Sequence, residues 1–153
     1  MAVVFCGSAA GAVSARRGAY YAGPGNRFWP TLHAVNLTPR LLAPEEFRSL
    51  PEYGLGLTDL AKHYAGSDAG IARRDDDPDG LWRKIERYRP RVLAFVGKRP
   101  ARVCLARTPD YGRQVERIGD TVLWVLPSPS GAARGYWNEA PWQDLALYVR
   151  ESA

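Results

Sequence analysis

Three polar groups in this chain stand where they could do chemistry. Asn26 closes the run Tyr20-Tyr21-Ala22-Gly23-Pro24-Gly25-Asn26 and is followed by Arg27-Phe28-Trp29. Its amide offers a donor and an acceptor, so it can hold a water molecule for hydrolysis; the same group is also a good cap for a helix beginning here. Asp59 ends an apolar stretch, and a carboxylate at a strand end can activate water or serve as a cap or surface residue. Ser128 opens Ser128-Pro129-Ser130-Gly131, where a hydroxyl and backbone amides are available to a developing negative charge or a phosphate. The plain alternative for that segment is a turn shaped by its Pro and Gly. Phe28 and Trp29 are neighbours, and adjacent helical positions point apart, so one can face a pocket while the other packs in the core. Tyr20 and Tyr21 either line that pocket or anchor the loop before it.

Other chemistries are excluded by what is missing. Gly7-Ser8-Ala9-Ala10-Gly11 follows an apolar run, yet it has neither the GxGxxG spacing of a dinucleotide turn nor the Lys-Ser/Thr ending of a phosphate loop. Gly54-Leu55-Gly56 precedes its strand where a fingerprint should follow one. There is no GxSxG elbow and no Cys/His pair in a suggestive context. Cys6 and Cys104 are too few for an iron–sulfur cluster, which needs about four ligands. With His33 and His63 they make no zinc spacing either. The sequence therefore predicts chemistry without a metal or cofactor. Both cysteines sit in apolar stretches that suit buried thiols better than a disulfide.

The elements that must position these groups follow from the hydrophobic pattern. Ala2 to Cys6 is an unbroken apolar run ending at Gly7, which predicts a buried first strand. Gly7 to Gly25 follows neither the strand nor the helix period and reads as an ordered functional loop. A helix through Phe28, Leu32 and Val35 takes Asn26 as its cap and tolerates Pro30 in its first turn. Pro44, Glu45 and Glu46 open a short helix, and Gly54 to Leu60 is a strand delivering Thr58 and Asp59 at its end. Arg73 to Asp77 is a dense charge cluster, read as a solvated loop. Asp77 and Pro78 then start a helix with Leu81, Trp82, Ile85 and Tyr88 on one face. Arg91 to Val96, closed by Gly97 and Lys98, and Thr121 to Leu126, closed by Pro127, are two further apolar strands. The last helix carries Trp142, Leu145, Ala146 and Val149 at helical spacing.

Apolar strands separated by amphipathic helices predict one α/β domain over residues 1–153, with three layers, α/β/α, around a central, mainly parallel sheet. Ligands in such sheets gather at the carboxyl ends of the strands. Gly7 to Gly11, Thr58 with Asp59, Gly97 with Lys98, and Ser128 to Gly131 all fall at such ends. A chain of 153 residues with 46% hydrophobic content suits one core. The net charge is +5, and of the 21 basic residues only Lys62, Lys84 and Lys98 are lysines. Arginine forks onto phosphate, so this charge fits a nucleic-acid partner, although a GC-rich genome enriches arginine with no such reason. No apolar run approaches the roughly 18 residues of a membrane span, and Ala2 to Cys6 is too short for the core of a signal peptide. The expectation is a soluble, cytoplasmic protein with no membrane partner.

The two conspicuous segments resemble those of the uracil-DNA glycosylase superfamily. The first is similar to the aromatic and Pro-x-Asn-x-Phe-Trp region of mismatch-specific uracil-DNA glycosylases and of hypoxanthine-DNA glycosylases; the second is similar to their Asn/His-Pro-Ser-Gly loop. The likeness continues in order through Val4-Phe5-Cys6-Gly7, Gly56-Leu57-Thr58-Asp59-Leu60, Leu93 to Lys98, Tyr111-Gly112-Arg113-Gln114 and Trp124-Val125-Leu126-Pro127. In the mismatch-specific family the loop after the first strand reads Gly-x-Asn-Pro-Gly, and its Asn positions the hydrolytic water; this chain has Ala9 there. The hypoxanthine-type family begins the loop with Gly-Ser and relies on the Asn of the later segment, which corresponds to Asn26. Ser128 replaces the Asn of the mismatch-specific family and the His of most others, and a neutral hydroxyl stabilises a departing base less well.

The resemblance implies a DNA glycosylase that flips uracil or another deaminated base out of DNA and hydrolyses its glycosidic bond, acting as a monomer without cofactor. Asn26, Ser128 and Asp59 would be catalytic. Gly7, Ser8, Ala9, Tyr21, Phe28 and Thr58 would bind the base, with Phe28 stacking on it. Gly97, Lys98, Pro129, Ser130, Gly131, Ala132 and Arg134 would contact DNA. Three alternatives stay open: a hypoxanthine preference, a weakly active or non-catalytic binder of damaged DNA, and a nucleotide-binding α/β protein unrelated to DNA.

Overall fold

The apolar run at the start of the chain forms β1 (Val3–Gly7), buried along its whole length. Being covered on both faces is the condition of an interior parallel strand, and β1 has a parallel neighbour on each side. One is β2 (Leu55–Asp59), in the register Val3 to Leu55 and Gly7 to Asp59; the other is β3 (Val92–Val96), with Val3 opposite Val92. Next to β3 lies β5 (Thr121–Leu126), also parallel, and the outer edge is β4 (Gly112–Ile118), antiparallel to β5. The sheet order is thus β2-β1-β3-β5-β4. This computed structural model describes residues 1–9, 12–61, 75–131, 135 and 137–152.

Alternation along the strands divides the core into two layers. Val3 and Phe5 face Phe28, Trp29 and Leu32 of α2 (Phe28–Ala34) and Trp142, Leu145 and Ala146 of α5 (Ala140–Glu151). Val4, Cys6, Leu93 and Phe95 face the other way, onto Leu81 and Ile85 of α3 (Pro78–Tyr88) and Ala101 of α4 (Lys98–Leu105). The molecule is therefore a three-layer α/β/α domain around a mainly parallel sheet.

Several local expectations are corrected. The loop after β1 contains a short helix, α1 (Ala12–Arg17). The segment opened by Pro44 is a 3₁₀ helix, Pro44–Tyr53. The residue flanking α2 is Arg27, not Asn26, although the Asn26 side chain still accepts a hydrogen bond from the Phe28 amide at 2.9 Å. Asp76 is not a solvated member of a charge cluster: its carboxylate is only 3% exposed and holds both guanidinium nitrogens of Arg99 at 3.0 and 3.1 Å. Asp77 does cap α3, accepting from the Gly80 amide at 2.9 Å. The buried stripe of that helix is narrower than expected, however, since Trp82 is 39% and Tyr88 64% exposed. Strand β4 had no counterpart in the hydrophobic pattern. Cys6 is buried and Cys104 half-buried, and both are free thiols; burial pushes the Cys104 thiol up to about 12, with a contribution from Asp76.

Candidate active site

Parallel register puts the ends of β1 and β2 side by side, and the chain beyond them is stitched together: the Gly7 carbonyl accepts from the Leu60 amide at 2.9 Å and the Ser8 carbonyl from the Ala61 amide at 2.7 Å. Alternation decides what each residue there presents. Asp59 lies on the same side as Leu55 and Leu57, the side of Phe5 and Phe28, and so belongs with Gly7 in one corner. Thr58 points the other way, where it is buried and its hydroxyl accepts from Lys84 Nζ at 3.0 Å. The structure therefore keeps Asp59 in the strand-end site and takes the Thr58 side chain out of it. Lys84 is half-buried in that contact.

Tyr21 dominates the corner. Its ring stacks on Phe28 with centroids 4.1 Å apart and an interplanar angle of 21°. Phe28 is itself fully buried, with Phe5, Trp29 and Trp142 against it in edge or T-shaped contacts, so among the described residues its one parallel neighbour is Tyr21. The Tyr21 hydroxyl reaches Gly7: a Cβ built on Gly7 would lie 3.1 Å from Tyr21 Oη and 3.2 Å from Asp59 Oδ1. Only a residue without a side chain leaves this space open, and the phenol and the carboxylate converge on it. The hydroxyl is buried and makes no hydrogen bond. Burial first, and the Asp59 charge second, hold its pKa well above the usual phenol value.

The second expected segment docks onto the first. The Arg27 amide donates to the Pro129 carbonyl at 2.8 Å, and a Cβ on Gly131 would come within 2.8 Å of the Pro24 carbonyl oxygen, so glycine permits the contact. The Arg27 guanidinium lies over the Trp137 ring, 5.4 Å from its centre. Ser128 is half-buried, and its hydroxyl oxygen accepts from the Ser130 amide at 3.3 Å, which leaves its own O–H as a donor. The Gly97 amide is taken by the Leu126 carbonyl at 2.8 Å, tying the end of β3 to that of β5, and Lys98 Nζ sits 4.6 Å from the centre of the Tyr111 ring.

Gly7, Ser8, Asp59, Tyr21 and Phe28 thus share one corner, while Asn26 joins the Ser128–Gly131 turn beside it through the Arg27–Pro129 bond; Ala9 is half-buried just beyond β1. Ala132 and Arg134 lie outside the described residues. Sequence reasoning missed Arg27 and Trp137, although Arg27 stood inside the segment it singled out, and it did not anticipate that Tyr21 would cover Phe28. Among the described residues, surface clefts include one of about 300 Å³ beside Tyr20 and Phe47 and one of about 410 Å³ beside Tyr21, Asn26 and Trp29. Neither of these is lined by Gly7, Asp59 or Ser128. Among the described residues there is no group of three or more His, Cys, Asp or Glu able to hold a metal, and no helix long and apolar enough to cross a membrane.

An α/β sheet with its polar groups and loops gathered at the carboxyl edge is the architecture of an enzyme that takes its ligand there. The model of the uracil DNA glycosylase superfamily matches residues 1–147, and the chain belongs to that superfamily. Membership brings its general activity, that of a DNA N-glycosylase, a hydrolase of base excision repair, and DNA as the macromolecule acted on.

Proposed function

We propose that this member is a monofunctional glycosylase that draws uracil, or a related deaminated base, out of the duplex and hydrolyses its N-glycosidic bond to leave an abasic site. The observation that carries the reading is the Arg27–Pro129 backbone bond, which fixes the Asn26 segment against the Ser128–Gly131 turn at the same carboxyl edge of the sheet as Gly7 and Asp59. Removing a base from the stack costs a few kcal/mol, so the enzyme must offer it a stacking surface and polar partners. The Tyr21–Phe28 stack supplies the surface through the Tyr21 ring, because Phe28, the expected stacking residue, is fully buried beneath it. Asn26, its Oδ1 oriented by the Phe28 amide, positions the water. Water oxygen attacks the anomeric carbon, the bond to the base nitrogen breaks, and its electron pair leaves with the base. Asp59 takes the proton from water, and the Ser128 hydroxyl donates to the departing base. The amides of the Ser128–Gly131 turn, with Lys98 and Arg134, bind phosphates. The Ser130 amide must exchange its bond to Ser128 to do so.

Hypoxanthine rather than uracil as the preferred base is favoured by one feature, the combination of Asn26 with Ala9, which matches the hypoxanthine-type pattern. The test is to incubate the protein with labelled oligonucleotides carrying uracil, hypoxanthine, xanthine or a thymine mismatch and to score alkali-sensitive sites. Cleavage at uracil or hypoxanthine is expected. No alkali-sensitive site on any of the four sinks the proposal in favour of a binder of damaged DNA.

A further inference from the structure

We infer that Arg17, paired with Glu45, is a positioning residue: it holds the Ala22 backbone so that the Tyr21 ring lies on Phe28 as the face on which the extracted base stacks. The inference rests on the function proposed above, and it names residues outside the site that decide whether that face exists. Its ground is the backbone of Tyr21, whose φ of +52° is an outlier for a bulky side chain. Such a conformation persists only where the surroundings over-determine it. The ring contact requires it, since relaxation to a negative φ redirects the Cα–Cβ bond and takes the ring off Phe28, whose centroid lies 4.1 Å away.

The restraints come from both sides. Before Tyr21, the Tyr20 carbonyl accepts from Trp29 Nε1 at 3.0 Å. After it, both backbone groups of Ala22 are taken by α1: the amide donates to Ser14 Oγ at 2.9 Å, and the carbonyl accepts from Arg17 at 3.0 Å. Arg17 is the last residue of that short helix, which closes at Gly18 with φ of +64° and with the Ala19 amide on the Ser14 carbonyl at 3.0 Å. A second guanidinium nitrogen of Arg17 donates to Glu45, in the first turn of the 3₁₀ helix Pro44–Tyr53. The guanidinium therefore ties three segments together, serving a carbonyl and a carboxylate at once from the fixed directions of its fork, which a single ammonium does not reproduce. The Arg17 and Glu45 side chains are 43% and 53% exposed, so their ion pair adds little stability of its own. Its effect belongs to the shape of the Tyr21 turn rather than to the fold.

The test measures Kd for duplexes carrying 2′-fluoro-2′-deoxyuridine or 2′-fluoro-2′-deoxyinosine, whose glycosidic bonds resist hydrolysis, and for the undamaged duplex. Tyr21→Ala removes the stacking face and is expected to raise Kd for the better-bound modified duplex about thirtyfold. Arg17→Ala is expected to raise it about tenfold in the intact protein and not at all beside Tyr21→Ala, because its effect passes through the ring. Arg17→Lys keeps the charge without the fork and is expected to follow Arg17→Ala, and Glu45→Gln to raise Kd about threefold. The undamaged duplex is expected to be unaffected throughout, with the same salt slope. A direct phosphate contact by Arg17 predicts otherwise: Arg17→Ala then weakens both duplexes and lowers the salt slope by about one, and Glu45→Gln, by releasing the guanidinium, tightens both. That pattern, an unchanged Kd in Arg17→Ala, or a loss that persists beside Tyr21→Ala, overturns the inference. Should Tyr21→Ala fail to fold, the sign of the Glu45→Gln change and the response of the undamaged duplex decide. If the Kd pattern holds but nothing is excised, the catalytic proposal falls and this one stands. If the intact protein excises and Arg17→Ala keeps its Kd, only this one falls. If the intact protein prefers neither modified duplex, both fall.

Discussion

The proposed function asks two roles of the Asn26 side chain. Its Oδ1 accepts from the Phe28 amide, and a second lone pair and the amide hydrogens are left as the groups that would hold a water. Replacement by serine keeps an acceptor for the Phe28 amide, whereas alanine keeps neither function. If Asn26 only shapes the chain, Asn26→Ser is close to silent. If it positions water, both variants are expected to lose about 10²- to 10⁴-fold in single-turnover excision with little change in DNA affinity. Asp59→Asn in the same assay reads the proton-accepting role; full activity in Asn26→Ser with collapse in Asp59→Asn would move the catalytic weight to Asp59. A lysine nucleophile is not expected. Lys84 is engaged by Thr58 on the far side of β2, Lys98 lies on the Tyr111 ring, and Lys62, which lies outside the described residues, has no sequence neighbours of the kind that lower an amine pKa. Borohydride is therefore expected to trap no protein–DNA adduct, and a trapped adduct would replace hydrolysis by an amine mechanism.

At the scale of elements, two contacts hold the segments that frame the site. The Asp76–Arg99 pair joins the start of α3 to α4 through two parallel hydrogen bonds with the carboxylate almost wholly buried. Asp76→Ala strands a largely buried guanidinium and is expected to cost about 3 kcal/mol, read by urea denaturation; a loss under 1 kcal/mol would show that the pair is solvated. The 3₁₀ helix is anchored by Glu46, which accepts from the Ala43 amide at 2.9 Å and pairs with Arg40. Those bonds, Arg40 first, lower the Glu46 carboxyl from 4.5 to about 2. A carboxyl depressed by folding stabilises the native state above its unfolded pKa and loses that effect as the pH falls through the folded one. The Tm gap between the intact protein and Glu46→Gln is thus expected at neutral pH and should shrink between about pH 4.5 and 2. A gap that persists at pH 2 would assign it to shape rather than charge.

The same scale shows where the sequence was legible. Strands β1, β3 and β5 were readable within a residue or two, because a strand covered on both faces is an unbroken apolar run. Strand β4 was not, since it is an edge strand whose burial alternates while its hydropathy does not: Arg113, Val115 and Arg117 are exposed, and the buried positions between them include the polar Gln114. Val115, 92% exposed, is an apolar residue in the place of a polar one. Asp76 was misread because its partner is 23 residues away, which no local pattern reveals. At the site, alternation could have separated Asp59 from Thr58, two adjacent residues on one strand and therefore on opposite faces. The stacking of Tyr21 on Phe28 was beyond sequence reasoning, since it depends on one left-handed residue held between two pinned neighbours.

For the molecule as a whole, a net charge of +5 carried mostly by arginine makes DNA affinity an ionic-strength effect. The logarithm of the affinity is expected to fall linearly with the logarithm of salt concentration, with a slope near one per phosphate contacted. Arg27→Ala is expected to reduce that slope by about one if its guanidinium leaves Trp137 for a phosphate. An unchanged slope would restrict Arg27 to its backbone bond with Pro129. An affinity indifferent to salt would remove phosphate contacts from the account altogether.

The order β2-β1-β3-β5-β4 also sets when the site can come into being. Residues 3–7 wait for residues 92–96 before β1 gains its second neighbour, and the turn at Ser128–Gly131 must arrive before the Asn26 segment has anything to dock on. At synthesis rates of about 5–20 residues per second, an emerging chain carries an unpaired apolar strand for roughly 10 s. During that time it offers a nascent-chain chaperone a target and other chains a sheet edge. A shortened product that stops before the turn lacks the Arg27–Pro129 bond that docks the Asn26 segment. The proposed site is therefore complete only once the C-terminal third of the chain has folded onto the sheet.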